Sequence, residues 1–143
     1  ADLVAANGWL GVSKWIKKAN EIAPTIVGGS KKHGGADLGP TRAKQKWLEL
    51  GVCGKGIANA APMHDDPEDH IPRLTLRMVA RIQGFPDEWA FQGSKTSQYR
   101  QIGNAFPAPV AAAVAKSLAS ALDKNMPKPA TKGQVELLEE VLI

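Results

Sequence analysis

Residues 73–107, RLTLRMVARIQGFPDEWAFQGSKTSQYRQIGNAFP, hold two spaced patterns around which the rest of the chain can be read. The first, L-T-x-R-x-x-A-R-x-Q-G-F-P-D, predicts a short helix. Thr75 can accept from the free N–H groups of the first turn, Leu76, Val79 and Ala80 form an apolar stripe, and Gly84 with Phe85 and Pro86 makes a C-terminal stop. Met78 stands where an acid or amide would complete a capping box, so only half of that device is expected. Arg77 and Arg81 lie one turn apart on one face. The second pattern, Y-x-Q-I-G-N-A-x-P, follows a short polar segment and leads into a proline-initiated helix over 107–122. Its Val110, Val114, Leu118 and Leu122 recur every fourth residue among alanines. A helix so slim and apolar expects close neighbours on more than one side.

The remaining composition bounds the possibilities. A chain of 143 residues with 14 Gly, 10 Pro and 6% aromatics has material for one modest domain. The single cysteine, Cys53, excludes an intramolecular disulfide framework and fits a reducing, cytoplasmic setting. No continuous apolar run reaches bilayer length and no signal peptide opens the chain, so no membrane partner is expected. His64 and His70 bracket the carboxylates of residues 63–72, MHDDPEDHIP, but the mixture has no compact ligand spacing and its prolines mark a loop. No metal ligand is therefore assigned.

Charge is uneven. Residues 14–55 carry nine Lys/Arg against Glu21, Asp37 and Glu49, an excess of six positive charges, and the acidic loop follows. A basic block with a sharp boundary suggests a polyanion-facing surface, with an ordinary charged surface as the alternative. Within it, residues 13–22 read as a helix with Trp15, Ile16, Ala19 and Ile22 inward. Thr25-Ile26-Val27 reads as a short β-branched strand, entering the loop GGSKKHGG at 28–35. Four glycines around Lys31, Lys32 and His33 let the backbone approach a ligand while cationic tips reach phosphates or base edges. Residues 40–50, PTRAKQKWLEL, predict a helix capped by Thr41 and stopped by Gly51. Ala43, Trp47 and Leu50 would face inward and Arg42, Lys44 and Lys46 outward.

In their order and spacing, the two patterns of 73–107 resemble the last two conserved motifs, nine and ten, of DNA (cytosine-5) methyltransferases. The resemblance spans roughly residues 8–122. It implies a target-recognition region at 8–62, an acidic linker at 63–72, and motif nine and ten helices at 73–122. Residues 123–143 lie beyond it, as a linker and a short amphipathic segment that either dangles or docks. The implied fold is an α+β fragment: a small irregular recognition lobe plus helices completing an α/β Rossmann-like, S-adenosylmethionine-dependent domain. Thr25, Lys31, Lys32, His33 and Arg42 become the expected DNA contacts. Asn104 and Ala105 become the expected cofactor contacts, where a helix start with free N–H groups would suit the cofactor's carboxylate.

What the family needs for chemistry is absent from these residues. There is no Pro-Cys nucleophile, since Cys53 follows Val52, no Glu-Asn-Val segment, and no glycine-rich cofactor turn. No catalytic residue is assigned, and this chain alone is expected to be inactive. The resemblance implies double-stranded DNA and an N-terminal catalytic part or subunit as partners. That other part would bind most of the S-adenosylmethionine and transfer its methyl group to C5 of an extruded cytosine. The alternative is a methylase-derived, non-enzymatic DNA-binding module.

Overall fold

A computed structural model describes residues 2–28 and 35–123. Its regular elements are α1 (Asp2–Ala5), α2 (Val12–Ala19), α3 (Thr41–Glu49), α4 (Leu76–Ile82), α5 (Lys95–Asn104) and α6 (Ala108–Leu122). The α+β expectation, with helices completing a Rossmann-like sheet, is overturned: the described residues contain no strand, only one isolated parallel bridge between Ala58 and Thr75. Residues 25–27 belong to no helix, strand or bridge. Their β-branched side chains favour extended backbone, yet no neighbouring segment offers a ladder, so β propensity alone builds no sheet.

Two compact units divide the chain, Ala1–Pro107 and Ala108–Ile143. The first is centred on Trp9, Leu38, Trp47, Val79, Tyr99 and Ile102, all nearly or completely removed from solvent. Polar ends of the large side chains find backbone partners. Trp9 Nε1 donates to the Pro67 carbonyl at 2.9 Å, and Trp15 Nε1 to that of Gly51 at 2.9 Å. Much of the structure between helices is held in this way, by side chains satisfying loop carbonyls instead of by a sheet.

Helix ends follow the sequence closely in two places. In α3, Val52 N–H donates to Trp47 O and Gly51 N–H to Leu48 O. In α4, Phe85 N–H donates to Ala80 O and Gly84 N–H to Arg81 O. Both are Schellman closures, with Gly51 and Gly84 at φ 72° and 78° where a side chain would be strained. Elsewhere the expectations shift. Pro40, not Thr41, precedes α3, and no side chain caps it. Helix α2 ends at Ala19, leaving Ile22 96% exposed. The capping box of α4 is complete after all, because Met78 Sδ accepts from Thr75 N–H at 3.4 Å while Thr75 Oγ1 accepts from Met78 N–H at 3.3 Å. A thioether is a weak acceptor, so it stands in for a carboxylate only partially.

Helix α5 takes up the end of the polar spacer and the start of the second pattern, Tyr99 to Asn104. Ser94 Oγ accepts from Ser97 N–H, while Tyr99 and Ile102 face the core. In the second unit, α6 has no buried residue. By length and composition the stretch Lys95–Leu122 is apolar enough to cross a membrane, but Ala105 is extended, at ψ 139°, and ends α5. The 15 residues of α6 span only about 22 Å. The expected linker and amphipathic segment at 123–143 lie outside the described residues, except for Asp123.

Candidate nucleic-acid interface

Residues 25–28 run between the start of α3 and the end of α5. Ile26 is buried while Thr25 is exposed, so the hydroxyl expected to meet DNA is presented to solvent. Val27 approaches Gly39, where an added Cβ would lie 3.0 Å from Val27 Cγ2 and 3.5 Å from Ala43 Cβ. Gly28 then meets Gly103 backbone to backbone: a Cβ on Gly103 would fall 2.7 Å from Gly28 N and 2.8 Å from Gly28 Cα. A Cβ on Gly28 would fall 1.9 Å from Asn104 Oδ1. Gly103 leaves no room for a side chain against the Gly28 backbone, while one on Gly28 would have to displace the Asn104 amide, so Gly28 lies directly on the end of α5.

The exit of that segment also returns to α5. A Cβ on Gly35 would lie 3.9 Å from Thr96 Oγ1, and two residues later the Asp37 carbonyl accepts from Tyr99 Oη at 2.6 Å. Burial, with the Asp37 carboxylate adding to it, pushes the Tyr99 phenol up to about 12, so Tyr99 is a neutral donor at any ordinary pH. Asp37 also fixes the start of α3, its carboxylate accepting from Gly39 N–H at 3.0 Å and from Lys44 Nζ at 2.6 Å. Lys44, expected to point outward as a free cation, is thereby an internal tether. Arg42 and Lys46 remain exposed on the same helix.

Gln83 ties the two sequence patterns together. Its buried amide donates to the carbonyls of Ile102 at 3.1 Å and Ala105 at 3.3 Å, closing the last turn of α5 from the C-cap of α4. Arg81 pairs with Asp2 and Asp87, and hydrogen bonds to its guanidinium hold both carboxyls below the usual carboxylate range. Arg77 Nη1 reaches the Pro86 carbonyl. Both arginines of the first pattern thus brace the turn after α4.

Lys31, Lys32 and His33 lie outside the described residues. Of the other expected DNA contacts, Thr25 and Arg42 are exposed on segments that meet around Val27, Gly39 and Ala43. The expected cofactor contacts are placed differently from the reading that suggested them. Asn104 is the last residue of α5 and Ala105 its C-cap, whose N–H is already donated to Ile102 O at 3.2 Å. This is the carbonyl end of a helix, which disfavours a carboxylate, and a nearby open N-terminus is not what Asn104 supplies. Cys53 is half-buried with its backbone N–H on Pro72 O, in a loop and not at a nucleophile's turn. No group of three or more His, Cys, Asp or Glu is placed to hold a metal among the described residues.

Sequence reasoning missed α5, and with it Tyr99 and Gln83 as organisers. Ser94, followed by Tyr99 and Ile102 three residues apart, was the available signal, set among polar residues.

The helix pair joined through Gln83, the contact of Gly28 with the end of α5 and the exposed basic helix α3 define a helical, irregular module among the described residues. The chain belongs to the C-5 cytosine-specific DNA methylase family, whose description matches residues 9–120. It is 63% identical over 123 residues to the type II methyltransferase M.NaeI of Lentzea aerocolonigenes, covering 85% of this chain and 30% of that protein. It is 45% identical over 128 residues to M.NgoMIV of Neisseria gonorrhoeae, covering 87% and 39%. With M.Sau96I of Staphylococcus aureus the figures are 35% over 114 residues, 77% and 25%. The chain thus spans about a third of the length of such relatives. No solved structure matches it.

Proposed function

We propose that this chain is the DNA target-recognition module of a cytosine-5 methylase, containing motifs nine and ten, and that by itself it binds DNA without transferring a methyl group. The observation that carries the reading is the double seating of residues 28 and 35 on α5, with exposed Thr25 and the cations of α3 beside it. A glycine-flanked Lys-Lys-His segment rooted on a rigid helix is suited to placing cations on phosphates. The missing nucleophile and the carbonyl-rich end of α5 support a binding role over a catalytic one. On this reading, S-adenosylmethionine and the attacking cysteine belong to a separate catalytic part.

The test is binding of the full chain to a labelled 20-base-pair duplex across a salt series, beside an assay for labelled-methyl incorporation. Binding with a steep salt dependence and no incorporation is expected. Replacing Lys31 and Lys32 by Ala should lower the slope by about 0.9 for each lost phosphate contact. Methyl transfer by the chain alone would overturn the reading.

A second reading, a working part of a methyltransferase that needs the catalytic part in trans, is favoured by the greater length of the related methyltransferases. Mixing with a catalytic half containing Pro-Cys should then restore incorporation. Failure with several such halves, while DNA binding persists, would leave the non-enzymatic module alone.

A further inference from the structure

Helix α5 does more than support the glycine segment. Ser97, Arg100, Gln101 and Asn104 fall at i, i+3, i+4 and i+7, one face of the helix, and line an open cleft of about 400 Å³. Tyr99 and Ile102 turn the other face to the core. Within the cleft, Arg100 is exceptional: its Nε is removed from solvent and has no hydrogen-bond partner. No ion pair among the described residues involves it either. An unfilled donor on a permanent cation is destabilising, and such a group is normally satisfied in the state in which a protein works. The cleft offers it nothing negative, since α5 contains Lys95 and Arg100 and no acid. The other three lining side chains are neutral hydrogen-bonding groups.

The position matters as much as the chemistry. Gly28 touches Gly103 and Asn104, and Gly35 approaches Thr96, so Gly28 and Gly35, which flank the glycine-lysine segment, sit within eight helix positions, about 12 Å, along α5. Arg100 lies between them in sequence.

We propose that Arg100 binds a DNA phosphodiester, with Ser97, Gln101 and Asn104 as neutral hydrogen-bonding neighbours. A guanidinium fork matches two phosphate oxygens, and Nε–H is one prong of that fork. Phosphate contacts of this kind set register and orientation without reading sequence, so Arg100 would fix where the recognition segment lands. This rests on the proposed DNA-binding function and adds to it a contact on the second sequence pattern.

The experiment uses the full chain and three forms: wild type, Arg100→Gln and Arg100→Lys. Each is titrated with the same 20-base-pair duplex over a salt series, after thermal melting has established that it folds. Arg100→Gln should bind roughly tenfold more weakly and lose about 0.9 from the slope of log affinity against log salt. Arg100→Lys should keep the slope while losing part of the affinity, because its charge remains and its fork does not. In the wild-type chain, the Arg100 Nε–H nuclear resonance, assigned by its absence from Arg100→Lys, should move on addition of duplex. It should move little with inorganic phosphate or S-adenosylmethionine at equal concentration.

If wild type binds DNA and Arg100→Gln has an unchanged slope, the Arg100 assignment fails and the DNA-binding function stands. If wild type binds no duplex, both fail. A resonance that responds to S-adenosylmethionine and not to DNA overturns the phosphodiester assignment. Should Arg100→Gln not fold, the resonance on wild type and the affinity of Arg100→Lys decide the matter: no response to duplex and an unchanged affinity overturn the assignment.

Discussion

Helices α5 and α6 invert the usual expectation about apolar sequence. Over KTSQYRQIGN, α5 is polar, yet Tyr99 and Ile102 are 0% exposed and the helix is bound at both ends to other segments. Over APVAAAVAKSLASAL, α6 is apolar, yet Val110, Val114, Leu118 and Leu122 are 46%, 47%, 59% and 85% exposed. The difference is one of partners. Helix α5 is anchored by two large side chains, by Gln83 on its last carbonyls and by a glycine-to-glycine contact that lets another backbone approach. Helix α6, slender with alanine, offers an apolar stripe, and none of its residues is buried. Local apolarity describes what a helix could bury; a few specific contacts decide what a chain does bury.

The strongest way to break this comparison is to separate α5 from the segment it carries. Gly103→Val places a branched side chain where even a Cβ would lie 2.7 Å from Gly28 N. Backbone lies on both sides, so neither can yield by rotating a side chain. We expect a loss of about 3 kcal/mol, a fall in Tm of roughly 10 to 20 °C for a unit of this size, and impaired DNA binding. A urea titration with an unchanged midpoint would mean that residues 28 and 103 are not in contact in solution.

This contact also shows where sequence reading stops. The closing ends of α3 and α4 and the start of α4 were legible because the signals are local: glycine after the last apolar position and, at α4, threonine before the first. The exposure of Arg42 followed from the same periodicity. The role of Gly103 was not legible, because its reason for being glycine is another chain segment, 75 positions away, and nothing within its own window records that. The strand expected at 25–27 failed for the converse reason, since β propensity is expressed only where a partner strand exists. Of the candidate site, the participating segments were legible. The placement of Asn104 at the closing end of a helix was not, because the helix before it was hidden among polar residues.

A middle-sized effect belongs to Tyr99, the only tyrosine in the chain. Tyr99→Phe removes the 2.6 Å bond to the Asp37 carbonyl and leaves that acceptor without this donor, at about 1 to 2 kcal/mol. The same residue makes wild type sensitive to alkali. Its phenol titrates near 10 when unfolded and at about 12 when folded, so folding favours the protonated form. That contribution is complete below pH 10 and is lost as pH rises toward 12. Absorbance at the tyrosinate band follows this one group without interference from another tyrosine. A midpoint at about 10 in the folded chain would show that Tyr99 is solvated, and the anchoring of α5 would then rest on Ile102, Gln83 and Gly103.

The smallest effect is expected in α6. Val114→Gln with Leu118→Gln removes two branched side chains but retains good helix propensity, so burial and not helix formation is what the pair reports. With 47% and 59% of these residues already exposed, stability should change by no more than about 0.5 kcal/mol for each substitution. Alone, the same exchange at Ile102 of α5 should cost several kcal/mol, because it would place an amide in a fully buried position. Chemical denaturation of the two variants gives the contrast directly, with far-ultraviolet circular dichroism confirming that helix content is retained. A loss of 2 kcal/mol or more from the α6 pair would reveal that Val114 and Leu118 are covered in the folded chain in solution. The apolar stripe would then be doing within this chain what its sequence periodicity first suggested, and the distinction between the two helices would disappear.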